Sequence, residues 1–452
     1  MKSRWISLVV FLSITATFFL VAPKSVPDLG GASAWGDEDK LPFPKDATFT
    51  FLTTTPRAIE GLTGDNDRNL YTGGSGPPPC PIWQINTHKP ELVPVGLVVP
   101  PPDAPANCAF TGIAFSPNGD LFVADGAAAR IYSFTPNASS PPTVTIASVT
   151  SVPGANGLAF DKKGNLWVSD GTTGQGRVWK ITGPGANCTS TATMPDIINC
   201  EEVFRIQPMS NEVNLDANGV GGVGRDIRTL PPGLITVTAT TRNAALNTVG
   251  CPTPPGPPCV LGSQPLVANG LAFNKNGDLF NIDTARGALW KIEFDLDGNL
   301  KSPTGCDITF TANTLCLSNV FVAHPILEGG DGIALDLFGN IWVAANERNA
   351  LAIVTRHGKV FEVFRNPVNS AGLRNSADTA EGNEKILEFP TSPFLTGKLF
   401  CVSQSDGDRR DNSPRSAGQV NAGATPNGPI PLGKISCMDQ ELIIPGLPLP
   451  VD

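Results

Sequence analysis

Four segments of this 452-residue chain repeat one strand–turn–strand pattern: GIAFSPNGDLFVAD from Gly112, GLAFDKKGNLWVSD from Gly157, GLAFNKNGDLFNID from Gly270 and GIALDLFGNIWVAA from Gly332. In each copy a second glycine follows the first by seven residues, at Gly119, Gly164, Gly277 and Gly339, and Asp or Asn comes directly after it. Small Gly112 and Ala114 alternate with Ile113 and Phe115, the period of two that a strand imposes. The second glycine suits a tight turn that needs positive φ. A third strand follows each turn pair closely, in RIYSF around Tyr132, RVWKI around Trp179 and ALWKIEF around Trp290. Sheets of three or four strands recurring at this spacing predict the blades of a β-propeller rather than a sandwich.

Two weaker copies complete a ring. AIEGLTGDNDRNLYTGG carries Glu60 ahead of Gly61, and EFPTSPFLTGKLFCVSQ is a degenerate unit centred on Thr391. Starts near 60, 111, 156, 269, 331 and 391 define an all-β, six-bladed propeller. The 113-residue step from Asn156 to Asn269 is the one gap that exceeds a blade. It reads as an insertion at about 183–262, although GLITVTATT within it leaves a seventh blade open. The expected organisation is a signal segment over 1–34, a lead segment over 35–48, the propeller over 49–445 and a tail over 446–452.

Lys2 and Arg4 precede an apolar run from Trp5 to Ala22, and Ala32-Ser33-Ala34 offers small residues for cleavage. That start predicts export, periplasmic or secreted, with an uncleaved anchor as the alternative. Ten cysteines agree with an oxidising compartment. Neighbour pairing is the simplest connectivity: Cys80 with Cys108, Cys188 with Cys200, Cys251 with Cys259, Cys306 with Cys316 and Cys401 with Cys437, stapling loop excursions. A formal net charge of −9 argues against nucleic acid or an anionic membrane surface as partner. No other stretch is long and apolar enough to span a bilayer.

The residue before the first glycine varies between copies, and that variation carries the chemistry. A propeller aligns the start of every innermost strand at one mouth of its channel, which gathers Glu60, Thr111, Asn156, Asn269, Asp331 and Thr391. Two carboxylates, two carboxamides and two hydroxyls all offer oxygen. No thiol or imidazole is among them. A hard cation, Ca²⁺ above all, takes six to eight such ligands. Read singly, an Asn or Asp before a glycine is an ordinary loop cap; four polar residues at one repeat position favour a shared ion instead.

The ANGLAF and GGDGIALDLFGNIWVAA segments, with a Glu-Gly upstream, resemble the gluconolactonase/regucalcin (senescence marker protein) family. The resemblance implies a six-bladed propeller holding one divalent cation in its channel. It implies that Glu60, Asn269 and Asp331 hold the metal, with Asn156 beside it helping to bind substrate. It further implies hydrolysis of a lactone or related ester, with Asp331 as the base. Thr111 and Thr391 are then candidates for orienting the substrate. Glu60 lacks the Pro and Trp that follow the family's glycine, and the stretch between blades three and four is longer than the family's.

Other residues read as structural. Asp125, Asp170 and Asp283 end second strands and are expected to cap the next loop. Trp167, Trp179, Trp290 and Trp342 are expected to pack between blades. His324 lies seven residues before Asp331 but reads as structural, and His357 as surface. No G-x-S-x-G motif is present, so a serine nucleophile has no support. Two other functions remain open: a non-catalytic exported propeller that binds a protein or glycan through its long loops, and a different propeller enzyme of the streptogramin-lyase or strictosidine-synthase kind.

Overall fold

The computed structural model describes residues 49–144, 150–171, 175–188, 197–207, 266–308, 310–327, 329–336, 338–346, 350–365, 387, 389–396, 399–405 and 433–439. All fall in the compact unit Asp46–Asp452. The expected signal, lead and tail segments and the Cys251–Cys259 pair lie outside the described residues.

Six sheets form the six blades, antiparallel apart from one short parallel pair in blade one. Blade two is typical: Phe110–Phe115 pairs with Leu121–Asp125, then Arg130–Phe134, then Thr150–Ser151. Blade three keeps a fourth strand, Cys200–Arg205, inside the stretch expected to be an insertion. Blade six is closed from both directions. Its order runs from the outer strand Phe49–Thr55 through Gly433–Asp439 and Leu399–Gln404 to Pro390–Thr396. A strand from the beginning of the propeller thus forms the outer edge of the last blade and ties the first described strand to the last. After the third strand of blade two the chain also visits blade one, where Thr143–Val144 pairs in parallel with Lys89–Val98.

The repeated letters have repeated physical roles. The turn aspartate Asp161 accepts from the backbone N–H of Lys163 and Asn165, both at 2.9 Å, and from Trp167 Nε1 at 3.0 Å. Asp336 does the same for Phe338, Asn340 and Trp342. Gly164 and Gly339 take φ of 82° and 80° in those turns. The aromatic of one blade's second strand then meets the phenylalanine that ends the next blade's first strand. Tyr71 lies 4.8 Å from Phe115, Phe122 lies 5.2 Å from Phe160 and Trp167 lies 5.7 Å from Phe273, all edge to face. Each such pair adds about 0.5–1.5 kcal/mol beyond the area it buries. Trp167, Trp179, Trp290 and Trp342 are all buried, as expected of interblade packing.

Four disulfides join the expected neighbours: Cys80–Cys108, Cys188–Cys200, Cys306–Cys316 and Cys401–Cys437. The last does not staple a loop, because Cys401 and Cys437 face each other in register on adjacent strands of blade six. No helix among the described residues is long and apolar enough to cross a membrane.

Candidate functional site at the channel mouth

The innermost strands of blades two to six each carry one extra residue where they begin. Phe110 pairs with Asp125 and Ile113 with Val123, so Thr111 and Gly112 together oppose Ala124 alone. The same shift occurs at Asn156-Gly157, Asp331-Gly332 and Thr391-Ser392. In blade four Asn269 N–H bonds the Ile282 carbonyl while Ile282 N–H bonds the Gly270 carbonyl. A bulge frees a residue from the ladder and re-aims its side chain. The polar residue that differs between repeats is the one so released.

The bulges interlock in sequence order. A Cβ on Gly61 would collide with the Thr111 carbonyl, and one on Gly112 with the Asn156 carbonyl. On Gly157 it would lie 2.6 Å from the Asn269 carbonyl, on Gly270 2.6 Å from that of Asp331, and on Gly332 2.5 Å from that of Thr391. Blade six has Ser392 in place of glycine, and Thr391 Oγ1 donates to the Glu60 carbonyl at 2.7 Å to complete the circle. Positions 60, 111, 156, 269, 331 and 391 are therefore consecutive neighbours around one ring. Because Gly157 abuts residue 269, no inner strand fits between blades three and four, and the propeller has six blades rather than seven.

Within that ring the side chains divide by task. Thr111 Oγ1 donates to the Ala155 carbonyl at 3.0 Å, and Thr391 also meets Ser403 Oγ at 3.1 Å. Both hydroxyls thus bind blade to blade. Glu60 and Asp331 sense one another: burial first, and the Asp331 charge second, push the Glu60 carboxyl well above the ordinary glutamate range. Asn346 Nδ2 donates to Asp331 Oδ2 at 2.9 Å. The Asn269 amide is oriented by a hydroxyl. Thr284 Oγ1 gives its hydrogen to the Gly330 carbonyl at 2.6 Å, so toward Asn269, 2.9 Å away, it can only accept. Asn269 must therefore turn its NH₂ to Thr284, which aims its oxygen elsewhere. Asn156 packs its amide against Gly171, where a Cβ would lie 2.6 Å from Nδ2.

Thr284 and Asn346 were not singled out from the sequence. Both stand one residue past the second strand's last position, where blades two and three have Gly126 and Gly171. Comparing VADG, VSDG, NIDT and VAAN at that column is the signal that finds them.

The donor set fits a hard cation on one further observation. Asn346 Oδ1, beside Asp331, is buried with no hydrogen-bond partner among the described residues, and an ion is one standard reason for such an orphan. No cluster of three or more His, Cys, Asp or Glu side chains gathers among the described residues, so a metal here would rely on carboxamide oxygens. A cleft of ≈ 410 Å³ opens beside Glu60 and Thr111, walled by Phe110, Ala109, Gly126 and Ala127.

The remaining residues follow their expected roles. Asp125 Oδ1 caps Ala128 N–H at 3.0 Å. Asp283 caps Arg286 N–H at 3.2 Å and also pairs with its guanidinium at 2.8 Å, while Asp170 pairs with Arg177 at 2.6 Å. His324 accepts from Ile326 N–H at 3.1 Å, a local cap, and His357 is exposed in its turn.

Residues 259–372 match the family model SMP-30/Gluconolactonase/LRE-like region. The matched stretch contains Asn269, Thr284, Asp331 and Asn346. No curated protein sequence matches the chain. Among solved structures, a gluconolactonase from Xanthomonas campestris is 11% identical over 88% of this chain and 91% of that one, with a TM-score of 0.43. The PQQ-bound aldose sugar dehydrogenase of Streptomyces coelicolor is 12% identical over 88% and 100%, with a TM-score of 0.47. Virginiamycin B lyase from Staphylococcus aureus is 12% identical over 86% and 98%, with a TM-score of 0.41. Likenesses this distant assign no activity.

Proposed function

We propose that this protein is an exported, metal-dependent hydrolase of lactones or related esters, with one divalent cation, Ca²⁺, held by Glu60, Asn269 and Asp331 and with Asn156 beside it. The observation that carries the reading is the ring itself, in which Glu60, Asn156, Asn269 and Asp331 stand at equivalent positions of blades that follow one another in contact. Burial and then the Asp331 charge raise the proton affinity of Glu60, and carboxylates so placed repel unless a cation or a proton lies between them. Four disulfides among the described residues support passage through an oxidising compartment.

A hard cation bound there would polarise the substrate carbonyl and stabilise negative charge on its oxygen. The chain's own residues do the rest. Asp331, its carboxylate plane fixed by Asn346, takes a proton from the attacking water. The water oxygen bonds to the carbonyl carbon, the acyl C–O bond breaks, and Asp331 passes the proton it took to the departing oxygen, leaving a hydroxy acid from a lactone. Asn156 orients the substrate's oxygens, and Thr111, whose hydrogen goes to the Ala155 carbonyl, offers the substrate only an acceptor from the wall of the cleft. Thr391 acts at one remove, holding the Glu60 backbone by its hydroxyl.

The test is turnover of a lactone panel by calcium-loaded protein and by Asp331→Ala. Loss of turnover together with loss of calcium-dependent protection from unfolding supports the assignment. Undiminished turnover in the variant refutes it.

A further inference from the structure

The cleft beside Glu60 has walls whose backbone N–H groups at Cys108, Ala109, Phe110 and Gly126 are already engaged, which leaves the Ser75 hydroxyl as a side-chain donor. Cys108 N–H bonds the Gly76 carbonyl at 2.9 Å, and Gly126 N–H bonds the Ala109 carbonyl at 3.1 Å. Ala109 N–H goes to Asp125 Oδ1 at 3.3 Å, and Phe110 N–H to Ser75 Oγ at 3.0 Å. Thr111, the other hydroxyl on the wall, donates to the Ala155 carbonyl. Cys108 is tied in its disulfide and presents no thiol. The Phe110 ring is buried in the core beneath, so the cleft is lined by the small surfaces of Ala109, Gly126 and Ala127, with the Ser75 hydroxyl and one carboxylate, Glu60, among them.

A polyol entering such a cleft presents a donor and an acceptor at each carbon. Its acceptors would find almost no donors, and each buried hydroxyl left unmatched costs about tenfold in affinity. An alkyl arm meets no such penalty and gains from leaving water. At ≈ 410 Å³ the space lies at the lower end of small-molecule sites, which run from roughly 300 to 1,000 Å³. That volume suits one arm of a substrate whose reacting group sits at the ring.

We propose that the cleft bounded by Phe110, Ala109, Gly126 and Ala127 binds an apolar arm, so that the substrate is an alkyl-substituted lactone or ester and not a polyhydroxylated sugar lactone. The inference rests on the hydrolase reading and narrows its substrate class. It concerns the part of the substrate that does not react, so the chemistry at Asp331 is unaltered.

The deciding experiment compares γ-butyrolactone, γ-decalactone and glucono-δ-lactone with the calcium-loaded full-length protein. Burial of each added methylene raises kcat/KM by roughly threefold until the cleft is full. γ-Decalactone should therefore exceed γ-butyrolactone by roughly a hundredfold and exceed glucono-δ-lactone as well. Ala127→Trp, at an exposed position that fills the space, should collapse the decalactone-to-butyrolactone ratio by about tenfold, through KM. Glucono-δ-lactone turned over as well as γ-decalactone overturns the proposal and leaves the hydrolase reading standing. A ratio unmoved in an Ala127→Trp protein of unchanged Tm also overturns it. Should that variant not fold, the wild-type panel decides alone. Turnover of none of the three overturns the hydrolase reading, and this proposal with it.

Discussion

Thr284 Oγ1 accepts a hydrogen bond from Asn269 Nδ2 at 2.9 Å while donating its own hydrogen to the Gly330 carbonyl at 2.6 Å. One hydroxyl thereby fixes the amide of blade four and the backbone just before Asp331 in blade five. Groups that orient a ligand from behind are typically worth 10–100-fold in metal affinity. Thr284→Val removes the acceptor, and calorimetric titration with calcium should show a Kd raised by about that factor. Thr284→Ser retains the hydroxyl and should bind within a few-fold of the wild type. Equal weakening in both variants would show that packing, not orientation, matters there.

The coupled carboxylates give the metal-free protein a distinctive pH dependence. Burial and, second, the Asp331 charge raise the Glu60 carboxyl above its value in the unfolded chain. The native state therefore keeps a proton that the unfolded chain has released. Stability from this proton is fully present below the unfolded value and is lost as pH rises through the raised native value. Thermal melts in chelator should show Tm falling across that window, and Glu60→Gln should flatten the slope. Calcium should remove the decline in the wild type. An identical slope in wild type and Glu60→Gln would contradict the coupling.

Gly157 tests the six-blade ring. A methyl group there would lie 2.6 Å from the Asn269 carbonyl, between backbones with nowhere to move. Overpacking of this kind costs about 1–3 kcal/mol. Urea unfolding of Gly157→Ala should show a loss of that size with unchanged m-value. A neutral substitution would mean that blades three and four do not abut at this point.

The sequence announced its turns and interblade aromatics because each repeat solves the same local problem with the same letters. Asp161 and Asp336 satisfy the same backbone donors, and their Trp partners follow at a fixed offset. The varying residue before the first glycine was legible too, although the bulge that frees it from the ladder left no separate mark in the letters. Thr284 and Asn346 escaped notice because their column also holds Gly126 and Gly171, which look like ordinary loop residues. The pairing of Phe49–Thr55 with Gly433–Asp439 left no local trace. Thr50 and Cys437, which share a side-chain hydrogen bond, are 387 residues apart, and nothing in either strand's pattern names its partner.

That closing blade predicts a dependence on oxidation. Cys401 and Cys437 enclose a 36-residue separation, for which loop-closure entropy gives about 3–4 kcal/mol. The double variant Cys401→Ala/Cys437→Ala should lose stability of that order in denaturant unfolding. It should also lose part of the wild type's response to reductant. A variant as stable as the parent would show that the strand pairing holds blade six without the covalent tie.

The most direct measurement is calcium titration of chelator-stripped protein by calorimetry, run beside Asp331→Ala. A hard-ion site built from Glu60, Asn269 and Asp331 predicts one calcium per wild-type chain and none in the variant, with the variant otherwise folded. Wild-type protein that takes up no divalent cation, or an Asp331→Ala protein that still binds one as tightly, would contradict the account.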